Sequence, residues 1–340
     1  MTLDICDITI IGAGPTGLFA AFYAGMRGVS ARIVDALPEL GGQLTALYPE
    51  KYIFDVAGLP KILAKDLVSD LVTQMRQFHP DEQLGQRIVS LEEDGGVLTL
   101  VTETDRFPTR AVIVAAGIGA FSPRRLPHPS AEAWYGKGIH DRVTDPKAFS
   151  GQRVLIVGGG DSAFDWTHQL MDRAKSVTLI HRSDRFRAHG STVAAVSDAA
   201  NAGRVKVLTF HEIAGVRGEN GRVTGATLKD VKAKTTHDVD VDVILPMLGF
   251  VSDIGPLAEW GLTIEKDEIV VSSTMETGRP GIYAAGDITT YPGKLKLIAT
   301  GFAEAAIAVA QAVHHIRPET KIQPKYSTNT GVPGAVEGQP

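Results

Sequence analysis

Two stretches of the chain share one arrangement of apolar and polar positions. The first runs Ile8-Thr9-Ile10-Ile11 into Gly12-Ala13-Gly14-Pro15-Thr16-Gly17. The second runs Val154-Leu155-Ile156-Val157 into Gly158-Gly159-Gly160-Asp161-Ser162-Ala163. A short unbroken apolar run closed by a turn reads as a strand buried on both faces. After the first turn the pattern predicts a helix over Thr16 to Arg27, a stop at Gly28 and a strand over Ser30 to Val34. From Gln152 to Arg182 the same order repeats, with its second strand at Ser176 to Ile180. Each stretch is a complete βαβ unit.

Two fainter echoes extend the repeat. Ala111 to Gly117 is an apolar strand ending in small residues, and Asp242 to Gly249 is its weaker counterpart. Each would close one domain and lead towards the other. The expected fold class is α/β: two Rossmann-like domains, the second inserted in the first, with a C-terminal extension. The boundaries fall at 1–120 with 249–340, and 121–248, with crossings near Phe121 and Gly249. Gly95-Gly96 and Glu219-Asn220-Gly221 mark hairpins, the first leading into an alternating strand over Val97 to Thr102. Gly301 to Val313 carries Glu304 and Gln311, so it reads as a buried amphipathic helix. Beyond Pro318 the tail is polar and rich in Pro and Gly, an extended segment by composition.

Composition narrows the function classes. With 340 residues, 44% hydrophobic and 21% charged, the chain is ordinary for a globular protein of about two domains. The net charge of -5 argues against wholesale nucleic-acid binding. No run approaches the ~20 apolar residues of a membrane span. Met1 to Asp7 holds two aspartates and no basic residue, so no signal peptide is expected and the cytoplasm is the expected compartment. A single cysteine, Cys6, excludes an intramolecular disulfide, a dithiol electron carrier and a thiolate metal cluster. No set of side chains has convincing metal-ligand spacing, and His314-His315 suit a helix C-terminus better than a metal.

The glycine turns carry the chemistry. In G-x-G-x-x-G/A the backbone can approach a pyrophosphate, and the helix N-terminus points at it. Two such turns imply two dinucleotides. Asp35, eighteen positions past Gly17, is placed to accept from ribose hydroxyls. The second unit carries His181-Arg182, then Arg185 and Arg187, with no acid before Asp184. Arginine forks match a 2′-phosphate, and charge-assisted bonds contribute roughly 1.5–3 kcal/mol each. NADPH is therefore expected at Gly158, Gly160, Asp161, Ser162, Ala163, His181, Arg182 and Arg187. A third segment, Pro280 to Asp287, is a short apolar strand ending in Gly286-Asp287. An acid there can hydrogen-bond the ribityl or pyrophosphate region of a flavin. Together with Gly12 and Asp35 it makes the first dinucleotide FAD.

Taken together, these residues resemble flavoproteins related to thioredoxin reductase. The shared runs are Gly12 to Gly17, Gly41-Gly42-Gln43, Gly158 to Ala163, His181-Arg182 with Arg187, and Ala285-Gly286-Asp287. The Cys-x-x-Cys of that group is missing, since Gly136 to Pro146 contains no cysteine. The chain is most similar to the thioredoxin-reductase-like class (type 2) of ferredoxin–NADP⁺ reductases. It shares Ala120 to Arg124, Asp184 to His189, Ser273 to Thr277 and the extension Gln323 to Thr328.

The resemblance implies FAD contacts from Gly12, Gly14, Pro15, Thr16, Gly17, Asp35, Gly42, Gln43, Tyr48, Ile88, Phe121, Gly286, Asp287, Tyr326 and Thr328. Around Ile88 the register also admits Arg87 or Val89. Tyr48 and Tyr326 would stack on opposite faces of the isoalloxazine, with the tail acting in cis or across a dimer. NADPH would reduce FAD, which would pass single electrons to ferredoxin or flavodoxin, in a homodimer whose domains rotate. No side chain need act as acid or base. The open alternatives are an NADPH oxidoreductase for quinones or other small oxidants, and a non-catalytic FAD/NADPH redox sensor. Between Pro123 and Arg153 there are six Lys/Arg against three Asp/Glu. With Lys294, Lys296, Lys321 and Lys325 they form a candidate patch for steering an acidic ferredoxin.

Overall fold

A computed structural model of the protein describes residues 5–141, 143, 145–325, 328, 331 and 332, with backbone alone at 120–122 and 250–253. The chain divides into two compact units, Met1–Phe121 with Ser252–Pro340, and Ser122–Val251. The first unit opens with β1 (Cys6–Ile11), α1 (Pro15–Met26), β2 (Ala31–Asp35) and α2 (Gln43–Leu47). It continues through the hairpin of β3 (Tyr52–Ile53) and β4 (Ile62–Leu63), then α3 (Ala64–Arg76) and β5 (Asp81–Leu84). Next come β6 (Ile88–Asp94), β7 (Val97–Thr102) and β8 (Arg106–Val114). β9 (Ala120–Pro123) leads into the second unit: β10 (Arg153–Val157), α4 (Asp161–Leu170), β11 (Ser176–His181), α5 (Gly190–Asn201) and β12 (Lys206–Thr209). That unit ends with β13 (His211–Glu219), β14 (Arg222–Asp230), β15 (Thr235–Asp240) and β16 (Val243–Pro246). β17 (Phe250–Asp253) pairs with β9 on the return. The first unit then closes with β18 (Ile264–Glu265), β19 (Glu268–Val270), β20 (Ile282–Ala284), β21 (Thr289–Thr290) and α6 (Ile298–Ile316).

In the first unit the sheet runs β5-β2-β1-β8, all parallel. The register pairs Ile8 with Ala31 and Ala111, and Ile11 with Val34 and Val114. β8 changes partner along its length. Arg106 to Thr109 pair antiparallel with β7, whereas Val112 to Val114 pair parallel with β20. Ile8, Thr9 and Ile10 are fully buried, as a central strand covered on both faces requires. α1 packs on α6 and α3 through Gly17, Leu18, Ala20, Ala21, Ala24 and Gly25. Its small residues let the helices approach closely.

The second unit stacks a parallel sheet, β12-β11-β10-β16, and an antiparallel sheet, β13-β14-β15. Period-two alternation divides its core. Leu155, Val157, Ile180 and Ile244 pack with Ile213, Val216, Ala226 and Leu228 of the antiparallel sheet. Val154, Ile156, Val177 and Leu179 pack instead with Phe164 and Leu170 of α4 and Val196 of α5. The turn between β13 and β14 places Asn220 at φ 51° and Gly221 at φ 76°, the pair of positive values a two-residue type I′ hairpin needs. Among the described residues no helix is long and apolar enough to cross a membrane.

Candidate dinucleotide sites

The first glycine turn leaves β1 at its carboxyl end, where open α/β sheets place ligands. Its three glycines do different work. A Cβ on Gly12, at φ 105°, would lie 2.4 Å from the Ala115 carbonyl oxygen. One on Gly17 would lie 1.8 Å from the Gly12 oxygen. Both positions are therefore filled by the fold itself. Gly14, the N-cap of α1, has φ -71° and nothing within 4 Å of where its Cβ would point. That is the open position a backbone needs to meet a phosphate.

Three other segments converge on this turn. Gly41 donates its amide to the Ala13 oxygen at 2.8 Å, and a Cβ on Gly42 would lie 2.9 Å from Gly14 Cα. Gln43 begins α2, its amide nitrogen 3.1 Å from where a Cβ on Gly117 would sit. Thr16 Oγ1 faces both Gly286 and Gly301, whose hypothetical Cβ atoms would stand 2.9 Å and 2.4 Å from it. Asp35 Oδ2 accepts from the Ala13 amide at 2.6 Å and Oδ1 from the Leu37 amide at 2.8 Å. Burial pushes the Asp35 carboxyl upward, and the two amides oppose that shift. Each oxygen keeps a lone pair for a ribose hydroxyl.

Tyr48 ends α2, and burial, reinforced by the charge of Asp287, pushes its phenol up. The two side chains therefore share one neighbourhood. Asp287 is itself raised by burial, with Lys294 and Lys296 opposing. Ile88 is 8% exposed and packs in the first unit's core, whereas Val89 is 40% exposed. The Gln86 amide donates to the Asp35 oxygen at 2.9 Å, which brings this segment beside the same turn. Thr328 is exposed. The side chain of Phe121 and the whole of Tyr326 lie outside the described residues.

In the second unit Gly158 would meet the Met247 carbonyl oxygen at 2.3 Å, and Gly159 the His181 ring at 2.4 Å. Gly160, the N-cap of α4, is the open one, with nothing within 4 Å. Ala163 is fully buried, while Asp161 and Ser162 are exposed at the helix start. The segment after β11 folds back over this turn. The Arg187 amide donates to the Gly159 oxygen at 2.8 Å, and the His189 amide to Asp161 Oδ1 at 2.9 Å. Just before them the Phe186 ring meets Phe164 edge-on at 4.8 Å. Arg182 and Arg187 are exposed. Burial lowers the His181 imidazole below its ordinary value; its bond to the Arg185 oxygen opposes this and the charges of Arg182 and Arg187 reinforce it. The charges of Arg182 and Arg187 therefore disfavour the protonated form of His181.

Sequence reasoning missed a buried cluster. Glu304, on α6, accepts from the Gly286 amide at 2.7 Å, from Tyr291 at 2.6 Å and from Lys294 at 2.6 and 2.7 Å. Its signal was present: one acid inside the apolar run Gly301 to Val313, with Lys294 ten positions upstream. The expected basic patch needs correction for the same reason. Lys294 is buried and paired, and Lys296 binds Glu268 at 2.6 Å. In the 123–153 run, Arg125 pairs with Glu132, and Arg153 with Asp242 at 2.7 Å.

These two sites agree with relationships across the whole chain. The pyridine nucleotide-disulphide oxidoreductase family matches residues 6–312. A protein of Thermus thermophilus named ferredoxin–NADP reductase is 49% identical, covering 98% of this chain and 100% of its own. A ferredoxin–NADP reductase of Halalkalibacterium halodurans is also 49% identical, over 96% of this chain and 98% of its own. In fold, the thioredoxin reductase of Lactococcus lactis covers 92% of this chain and 99% of its own at a TM-score of 0.74 with 24% identity. The chain belongs to the pyridine nucleotide-disulphide oxidoreductase family and, within it, to the ferredoxin–NADP reductases.

Proposed function

We propose that the protein is a ferredoxin–NADP⁺ reductase, with FAD held in the first unit and NADPH or NADP⁺ in the second. The observation that carries this reading is the contrast between the two ribose ends. Asp35 supplies a carboxylate beside the first glycine turn, whereas Arg182 and Arg187 supply only positive charge beside the second. Both turns pass the same test of fit: Gly14 and Gly160 are open, while Gly12, Gly17 and Gly158 are cradled by backbone. Gly14, Pro15 and Thr16 would face the FAD pyrophosphate, with Gly17 packed beneath them, and Gly42, Gln43, Tyr48, Ile88 and Asp287 its remaining parts. Gly160, Asp161 and Ser162 would line the NADPH pyrophosphate, with Ala163 packed beneath them.

When both are bound, the nicotinamide supplies an electron pair and the flavin supplies the means to release electrons singly to an iron–sulfur or flavodoxin-like partner. The chain's part is placement. α1 and α4 aim their N-termini at phosphate, Asp35 orients a ribose, and Tyr48 would shield one flavin face from water. With one cysteine, the chain has no dithiol to act as a carrier.

The tail bears on assembly. Arg27, the C-cap of α1, donates to the oxygens of Lys321 and Ile322 at 2.8 and 2.9 Å. This anchor lies at the end of α1 remote from Gly14, about 20 Å along the helix. An anchor at that end favours a homodimer in which each tail serves the other copy.

The test is anaerobic stopped-flow reduction of the yellow protein by NADPH and by NADH, followed by oxidised ferredoxin. NADPH-selective bleaching and electron delivery to ferredoxin are expected. Bleaching with delivery only to a quinone would replace ferredoxin as acceptor, and a colourless protein would sink the reading.

A further inference from the structure

We infer that Lys294 and Glu304 form a brace that positions the Gly286-Asp287 turn for the flavin. They would be positioning residues, acting through backbone rather than touching the cofactor. The inference rests on the assignment of FAD to the first unit.

The brace meets the turn at Gly286. This glycine sits at φ 81°, against Thr16 of the glycine turn, and its neighbour Asp287 is the acid whose charge bears on Tyr48. Both polar groups of its backbone are taken by one ion pair. The Gly286 amide donates to Glu304 Oε2 at 2.7 Å, and the Gly286 oxygen accepts from Lys294 Nζ at 2.9 Å. Thr289 Oγ1 donates to the same oxygen at 2.8 Å, and Tyr291 donates to Glu304 Oε1 at 2.6 Å. The ion-pair side chains are 6% and 4% exposed. Burial and the bond to Glu304 push the Tyr291 phenol up to about 12, so it stays a donor.

A buried ion pair is a poor device for stability alone. Desolvating both charges offsets most of their attraction, and apolar residues of similar volume serve a core as well or better. This pair closes on a single residue. It ties three parts of the unit to one point: the loop bearing Lys294, helix α6 bearing Glu304, and the turn seated on Thr16. Gly301, one turn before Glu304 on α6, faces the same Thr16 hydroxyl. The hydrogen bonds therefore fix where Asp287 stands relative to the first glycine turn.

The experiment compares Lys294→Met with the double variant Lys294→Met/Glu304→Gln. Lys294→Met leaves a buried carboxylate unpaired, so loss of stability alone would be ambiguous. The double variant removes both charges and keeps an oxygen that can accept from Gly286. Three quantities are read: the Tm of the apoprotein, the Kd for FAD by titration of the apoprotein, and the midpoint potential of the bound flavin.

Expected for the double variant are a Tm near that of the unaltered protein, an FAD Kd weaker by about ten- to a hundredfold, and a displaced potential. That range matches loss of one charge-assisted hydrogen bond. Recovery of Kd and potential together with Tm would overturn the brace and leave only a fold role. An unaltered protein that binds no FAD would instead overturn the assignment of the unit itself.

Discussion

At the scale of single residues, the glycines separate fold from function. Gly14 and Gly160 have negative φ values, -71° and -100°, and open space where a side chain would go. Alanine there strains nothing and reduces the freedom of the unfolded chain, which stabilises by roughly 0.4–1 kcal/mol. Gly14→Ala should therefore keep or slightly raise Tm while weakening FAD about tenfold or more. Gly160→Ala should do the same for NADPH. Gly17→Ala places a methyl 1.8 Å from a backbone oxygen, so it should lower Tm through overpacking of about 1–3 kcal/mol or more. Thermal melts of the apoproteins with cofactor titrations check all three. A Gly14→Ala protein that melts early and binds FAD normally would reverse the assignment. The spacing of these glycines was legible in the sequence because the motif is contiguous, each turn directly following an apolar run. The Lys294–Glu304 pair was not, because a lone acid inside an apolar run is a local signal that does not name its partner.

Among elements, the βαβ units stood out because their signals are contiguous: apolar run, glycine turn, periodic helix. α1, expected over Thr16 to Arg27, begins one residue earlier at Pro15, the first-turn position that suits proline. α6 begins at Ile298, three residues before the apolar run, because Thr300 Oγ1 accepts from the Leu297 amide and closes the helix start. β8 extends back to Arg106 because its first residues pair with β7, a long-range contact invisible in the apolar pattern. The segment after β11 matters most for chemistry. It is held by Arg187 to Gly159, by Phe186 against Phe164 and by His189 to Asp161. Replacing Arg182 and Arg187 together by alanine should cut the preference for NADPH over NADH by about 10² to 10⁴, from two charge-assisted bonds. Asp161→Ala should loosen the same segment and lower that preference by about tenfold, the low end for a hydrogen bond to a charged group, as suits its exposed position. Asp161→Asn keeps an acceptor and should retain it. Rates of flavin bleaching with each nucleotide read out all three variants. An Asp161→Ala protein with unchanged selectivity would show that the helix start does not set the arginines.

For the whole molecule, the question is how many chains complete one flavin site. Arg27 holds Lys321 and Ile322 at the far end of α1, and Arg317 adds bonds to the Gly28 oxygen and Asp7, both at 3.1 Å. The described part of the tail, up to Lys325, is therefore tied to the end of α1 opposite Gly14. If it serves a second copy, flavin shielding must depend on protein concentration, because dilution below the dimer Kd removes the partner's tail. A chain ending at Lys325 should bind FAD, remain folded and show a flavin visible spectrum that does not change on dilution. The full chain should differ from it at high concentration and converge on it as the sedimentation coefficient falls to that of a monomer. The described anchor lies before the cut, so truncation leaves both arginine clamps in place. A full-length spectrum that stays distinct when the protein is monomeric would assign the tail to its own flavin and set aside the exchange between copies.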